Sequence, residues 1–355
     1  MKYKIVCMML CMAMAVGVSA CGQMGQADAG NAAEEVSGSA GESSGEDSGA
    51  AASDDDKKKS GDEGETEDDW YEELDKEGID PSVLDEEFDV DDEDATEPDK
   101  ASVPSDLSHG MTLSYPQIDP AGLDNAAIPW GMGPDRDELN RPITALQYQE
   151  NYKDYNVDFI VPSEDKKLYL TFDEGYENGF SESMLDTLKR HNAQGIFFVT
   201  KSYAESRPDL VQRMIDDGHI VGNHTVHHPS DGMQAHDIAY QTNEVKELHD
   251  YIKDNFGYDM FLFRYPTGMF SKQSLAVVSN CGYRSVFWSF AYADWDRDKQ
   301  PDPTEALAKL ESSLHPGAIY LLHAVSQTNE SILDEFLSYV EAQGYEVGNY
   351  AETLE

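Results

Sequence analysis

Two adjacent carboxylates, Asp173 and Glu174, follow an apolar run from Leu168 to Phe172. Two histidines four residues apart, His224 and His228, follow a second such run in Asn223-His224-Thr225-Val226-His227-His228. Arg264 opens Arg264-Tyr265-Pro266-Thr267-Gly268, Asp294 precedes Trp295, and His323 closes Tyr320-Leu321-Leu322-His323. Two imidazoles with a carboxylate and open water positions suit a divalent ion of the hydrolytic zinc type. Such an ion acidifies water and polarises a carbonyl. A second carboxylate can then act as base and another histidine as acid. Each residue taken singly has a plainer reading. A histidine at a strand end is more often a satisfied hydrogen-bonding group, and His219, His227, His236, His249 and His315 keep that reading. Asp294 before Trp295 could cap a turn, and Arg264 could pair with a carboxylate for structure alone.

The elements that must position these residues alternate in type. Strands are predicted at Leu168–Phe172, Gly195–Val199, His219–Gly222, Phe261–Arg264, Arg284–Trp288, Ala318–His323 and Tyr345–Val347. Helices are predicted between them at Ser181–His191, Pro208–Asp217, Gln234–Asn255, Lys272–Asn280, Thr304–Leu314 and Glu330–Gln343. Proline opens the second of these and Gly218 follows it, the usual order of start and stop signals. Strands alternating with helices imply a parallel sheet with covering helices. About seven units in some 190 residues fit a closed or nearly closed α/β barrel, whose function gathers at the carboxyl ends of its strands. Five of those ends carry the ionisable residues above. Aromatics such as Phe197, Phe198, Phe287 and Trp288 are read as core, whereas Tyr265 and Trp295 are candidates for lining a sugar site.

Taken in order, these five clusters resemble the motifs of the NodB-homology polysaccharide deacetylases, carbohydrate esterase family 4. That family reads TFDDG, then a closely spaced histidine pair, an R-x-P motif, an Asp-Trp and an apolar strand ending in Leu-x-His. The likeness covers roughly residues 165–350. It implies a distorted (β/α)7-type barrel and metal-assisted removal of acetyl groups from a glycan. Position by position it implies Asp173 as general base and Glu174, His224 and His228 as metal ligands. It implies Arg264 as the holder of Asp173, Asp294 as the group orienting His323, and His323 as general acid. The implied ion is divalent, Zn2+ or Co2+ for example. A finer resemblance, to the δ-lactam-forming peptidoglycan de-N-acetylases, rests on Phe172-Asp173-Glu174-Gly175-Tyr176-Glu177-Asn178-Gly179, Val286-Phe287-Trp288-Ser289 and Pro316-Gly317-Ala318-Ile319-Tyr320-Leu321-Leu322-His323. It implies N-acetylmuramic acid as the sugar. The chain departs from the family at Glu174, where the pattern has a second aspartate. Three alternatives stay open: an N-acetylglucosamine deacetylase, an esterase of O-acetylated polysaccharide, and a surface lipoprotein that binds glycan without turning it over.

The chain has 70 acidic against 25 basic side chains, for a net charge of −45. Such an excess repels phosphates and argues against nucleic acid as a partner. The charge is uneven, since 31 of the acids and only 5 of the bases fall between Gly22 and Asp106. Residues 1–20 read as a signal peptide. Met1–Lys4 is basic, and the apolar run Ile5–Val16 is too short to span a bilayer. Val18-Ser19-Ala20-Cys21 resembles a lipobox and implies a diacylglycerol on Cys21, hence an anchor on the outer face of the membrane. Residues 21–108, rich in Gly, Ser, Asp and Glu, read as a disordered acidic tether with an r.m.s. span of roughly 50 Å. One apolar island, from Trp70 to Phe88, interrupts it. Residues 109–162 read as an irregular extension wrapping the catalytic domain at 163–355, with a short helix near Thr144–Tyr152. Cys281 is left alone in that domain, so no intrachain disulfide is available there. No feature calls for an oligomer, and a monomer is expected.

Overall fold

The structure is a computed structural model that describes residues 105–354. The expected signal segment, Cys21, the island from Trp70 to Phe88 and nearly all of the acidic tether lie outside the described residues. The folded part begins a little earlier than expected. Ser105–His109 forms a 3-10 turn, and Leu107 is buried under the sheet with Ile196 and Phe198.

Eleven strands are described: β1 (Ile128–Pro129), β2 (Val157–Asp158), β3 (Lys167–Glu174), β4 (Gly195–Val199), β5 (Ile220–Asn223), β6 (Leu262–Phe263), β7 (Met269–Phe270), β8 (Arg284–Val286), β9 (Phe290–Ala291), β10 (Ala318–Leu322) and β11 (Glu346–Val347). The helices are α1 (Ile143–Tyr152), α2 (Ser181–Arg190), α3 (Lys201–Ser206), α4 (Pro208–Asp216), α5 (Ile238–Phe256), α6 (Lys272–Asn280), α7 (Pro303–Ser312) and α8 (Gln327–Ala342). The main sheet runs β2-β8-β6-β5-β4-β3-β10-β9, with β11 beside the start of β3. Its pairs are all parallel. β1 and β7 form a separate antiparallel pair.

The sheet curls into a nearly closed barrel. β8 and β9 lie near its opposite edges but are only Phe287, Trp288 and Ser289 apart in the chain. The expected strand Arg284–Trp288 is therefore one bent stave broken at Phe287. The segment after β2 joins the far side through Val161 N–H to Gly317 O at 3.0 Å. That approach requires glycine, because a Cβ on Gly317 would lie 1.9 Å from Val161 O, and its φ is +69°. The extension is thus more than a wrapping: β2 is a stave of the barrel.

Side chains alternate across each strand, so one residue in two faces the lumen. Tyr169, Ile196, Phe198, Ile220, Leu262, Val286 and Ile319 form one buried cluster, the lumen filling. Leu168, Leu170, Phe172, Phe197, Val221, Tyr320 and Leu322 form the other, packed with the helices. Two helix starts differ from expectation for the same reason. Asp237 caps α5 by accepting from Tyr240 N–H, and Ser326 caps α8 by accepting from Asn329 N–H. Each cap fixes the first turn where the side-chain oxygen can satisfy a free N–H.

Candidate active site

Alternation along β3 puts Thr171 and Asp173 on the lumen side at its carboxyl end. Arg264, just past β6, fills the space beneath them and is 0% exposed. Its Nη1 donates to Asp173 Oδ1 at 3.1 Å and to Thr171 Oγ1 at 2.6 Å. Nε donates to Val286 O at 2.9 Å and Nη2 to Phe287 O at 3.0 Å. The guanidinium lies 4.4 Å from the Phe198 ring centroid. Phe198 has room there because Gly222 lacks a Cβ, which would sit 2.4 Å from the ring. One arginine so ties β3, β6 and β8 to a single carboxylate. Burial alone would raise the Asp173 carboxyl, but Arg264, His224 and His323 outweigh it and hold the group below the usual carboxylate range.

His224 follows β5. Its Nδ1 lies 3.0 Å from Arg264 O, an atom that only accepts, so Nδ1 carries the proton. Burial lowers this imidazole to a pKa of about 4, against the opposing pull of Asp173. The neutral ring then turns its Nε2 lone pair toward Asp173 Oδ2 at 3.6 Å. His228 stands beside it, with ring centroids 4.8 Å apart. The turn between them is strained: Thr225 and His228 have φ of +71° and +49°. Three side chains hold it. Asn223 Oδ1 accepts from Thr225 N–H, Thr225 Oγ1 from His228 N–H, and Glu244 Oε2 from His227 N–H.

The acid side comes from two loops. Asp294, after β9, is buried; its Oδ1 lies 2.8 Å from His323 Nδ1 and its Oδ2 accepts from His323 N–H at 2.8 Å. Burial would lower His323, but Asp294 outweighs it and raises the imidazole above its ordinary value. Asp173 also acts on His323, and His323 on Asp173 and His228. The carboxylate, the histidine pair and the distal histidine are therefore near enough to act on one another electrostatically. Trp295 is 48% exposed, with its ring centroid 6.1 Å from that of His323.

Two expected site residues stand elsewhere. Glu174 is the next residue after Asp173 on β3 and so faces the helix layer, not the lumen. It is fully buried, neither carboxylate oxygen has a partner, and it acts on Tyr203 of α3. Burial foremost, then Glu177 and Asp173, push its carboxyl well above the usual range. Tyr265 is 1% exposed and stacks on Phe287. Its ring belongs to the core and is not open to a sugar. In the other direction, Asn329 is buried against Asp294 and His323. It escaped sequence reading because it lies within a helix and belongs to no motif.

Among the described residues no three His, Cys, Asp or Glu side chains are already gathered to hold a metal ion. The residues present nonetheless fit one. The His224 Nε2 lone pair lies 3.6 Å from the ionised Asp173 Oδ2, two acceptors with no proton between them, and a nearby cation would relieve that opposition. His228 stands beside His224 and offers a second imidazole.

A family model described as polysaccharide deacetylase matches residues 161–286, which hold Asp173, His224, His228 and Arg264. Over 226 residues the chain is 37% identical to peptidoglycan-N-acetylmuramic acid deacetylase PdaA of Bacillus subtilis (strain 168), covering 63% of this chain and 84% of that protein. Over 181 residues it is 34% identical to peptidoglycan-N-acetylglucosamine deacetylase PgdA of Listeria monocytogenes, covering 51% of this chain and 37% of that one. The solved structure of Bacillus subtilis PdaA, a family 4 carbohydrate esterase, matches with a TM-score of 0.62 at 34% identity, over 65% of this chain and 98% of that one. The match to the Bacillus subtilis enzyme covers 84% of that protein and that to its solved structure 98%, and with the parallel barrel they place the chain in the polysaccharide deacetylase family.

Proposed function

We propose that the protein hydrolyses N-acetyl groups on the amino sugars of cell-wall peptidoglycan, N-acetylmuramic acid first among them. The observation that carries this reading is the pairing of Asp173, held ionised, with His323, held more basic than usual, each acting on the other. Environments that push two titrating groups apart assign the base and the acid. The choice of sugar draws on the 37% identity to the Bacillus subtilis enzyme, a peptidoglycan-N-acetylmuramic acid deacetylase. The 34% identity to the Listeria enzyme keeps N-acetylglucosamine as the second reading.

In this mechanism His224 and His228 would hold a divalent ion such as Zn2+ or Co2+, with Asp173 left free to act as base. When bound, that ion supplies a Lewis acid that polarises the acetyl carbonyl and acidifies water. Asp173, fixed by Arg264, takes a proton from the attacking water as its oxygen bonds to the carbonyl carbon. His323 gives a proton to the amide nitrogen as the C–N bond breaks, releasing acetate and a free amino sugar. Asp294 accepts from Nδ1–H of His323 and stabilises the imidazolium, whose Nε2 proton is the one delivered to the amine. Trp295 offers an exposed ring for stacking on the sugar. A diacylglycerol on Cys21 holds the chain at the outer face of the membrane, and the acidic tether lets the catalytic domain reach the wall.

Mass spectrometry of muropeptides treated with the purified protein, with Zn2+, Co2+ or chelator, tests the reading. The expected result is a loss of one acetyl mass per acted sugar, on muramic acid and dependent on added metal. Loss from glucosamine alone moves the assignment to the second reading. No loss on either sugar with any ion removes the proposal.

A further inference from the structure

The hydrogen bonds around Asp294 do not end with His323. Asn329, in the first turn of α8, donates from Nδ2 to Asp294 Oδ2 at 2.6 Å and reaches His323 O at 3.1 Å. One amide thus holds both the carboxylate and the backbone of the histidine that it orients. The amide has one orientation, because the Tyr292 hydroxyl donates to its Oδ1 and leaves Nδ2 for Asp294. The helix makes no use of this side chain. The α8 cap is the Ser326 hydroxyl, which accepts from the backbone N–H of Asn329 at 3.1 Å. A second amide braces the same place. Gln300 donates to Asp294 O and Asp296 O, both at 3.0 Å, and accepts from Ser326 Oγ at 2.6 Å.

We propose that Asn329 is the positioning residue of the acid: it fixes Asp294 so that His323 keeps Nδ1–H inward and presents Nε2 to the leaving amine. Oδ2 of Asp294 is shared by the His323 backbone N–H and the Asn329 amide. Oδ1 is left to Nδ1, and that division sets the tautomer and the ring plane. An imidazole oriented in this way by a buried carboxylate is the triad arrangement turned to acid duty. Without the amide, Asp294 Oδ2 loses one of two donors in a site closed to water, and the carboxylate is free to rotate. Asn329 touches no reacting atom, so its effect passes through Asp294 and His323. The inference rests on His323 being the acid.

The test compares Asn329→Ala, Asn329→Asp and His323→Asn in the metal-loaded protein on acetylated peptidoglycan. Nitrogen NMR of the His323 ring reads the tautomer directly. Asn329→Ala is expected to lower kcat about ten- to a hundred-fold, with KM within about threefold, a part of what a positioned acid contributes. At a pH above that at which His323 loses its Nε2 proton, it is also expected to turn a single Nδ1–H tautomer into a mixture. Asn329→Asp keeps the shape, places a second carboxylate against Asp294, and is expected to move the alkaline limb of kcat upward. Asn329→Ala with kcat within twofold and an unchanged tautomer, beside an inactive His323→Asn, overturns the role of Asn329. Full activity of His323→Asn overturns the acid assignment and this proposal with it. Should Asn329→Ala fail to fold, Asn329→Asp decides, and an unmoved alkaline limb there overturns the proposal.

Discussion

Around Asp173 the barrel itself is the scaffold: Arg264 reaches across three strands, and backbone carbonyls at 286 and 287 take up its remaining donors. Around His323 no strand does this work. Asp294 and His323 sit on loops after β9 and β10, and side-chain amides from Gln300 and Asn329 lock those loops together. The base half is held by a buried guanidinium and strand geometry, the acid half by neutral side-chain amides latched around the buried Asp294 carboxylate and its loop. Buried charge is costly to leave unpaired, whereas neutral bonds can be lost one at a time. The base half should therefore fail in fold and function together, and the acid half in function first.

The largest effects test the base half. Asp173→Asn removes the proton acceptor and leaves the buried Arg264 charge without its carboxylate, so kcat/KM should fall about 10²–10⁴-fold and the melting temperature should fall with it. Equal rates for this variant and wild type on peptidoglycan would end the base assignment. Arg264→Met should lose activity as well and also melt roughly 10 °C lower. It strands a buried carboxylate and three oxygen acceptors, an effect of about 3–5 kcal/mol. An Arg264→Met protein that is inactive but melts like wild type would break the comparison, since the arginine would then serve chemistry alone.

The acid half should show itself in pH dependence. A carboxyl held low is ready as a base below the ordinary aspartate range near 3.9, and an imidazole held high keeps its proton above the ordinary 6.5. The bell of kcat/KM against pH should therefore be wide on both sides. Asp294→Asn removes the group that raises His323 and leaves the burial that lowers it. Its alkaline limb should move to lower pH, with melting little changed. A limb that stays in place in this variant would show that another group sets it.

These two halves were not equally legible in the sequence. Asp173, His224, Arg264, Asp294 and His323 could be named because each lies at or just past the end of an apolar run, where a parallel barrel puts its chemistry, and His228 by its spacing from His224. Period-two alternation was available too, and it decides the fate of Glu174. Asp173 and Glu174 cannot both face the lumen of a strand that continues through Glu174, and the family pattern drew attention away from that. Tyr265 was misplaced for a similar reason. Its neighbour Arg264 fixes the lumen side, so the tyrosine ring turns into the layer of Phe263, Phe270 and Phe287. β2, two residues long, carries no pattern that could mark it as a stave. Asn329 and Gln300 act through tertiary contacts between loops, which no local spacing records.

The smallest effect concerns Glu174, which lies between the two expectations of ligand and bystander. Its folded carboxyl is raised by burial first and by Glu177 and Asp173 after that. A carboxyl raised on folding keeps a proton that the unfolded chain gives up. Stability from this group is therefore undiminished below the ordinary glutamate range near 4.3 and falls as pH rises from there through the raised value. Glu174→Gln removes that slope and keeps the shape. With metal chelated, wild type should lose melting temperature between pH 5 and pH 8 faster than the variant does, by a few degrees. Activity with added Zn2+ should stay within about tenfold, because His224 and His228 would hold the ion and Asp173 would remain the base. A variant that melts below wild type at pH 8 in chelator would refute the buried, unpartnered carboxyl. If Zn2+ instead stabilised wild type far more than the variant, Glu174 would have to swing from the helix layer to the ion. The base half would then carry a moving part that the acid half lacks.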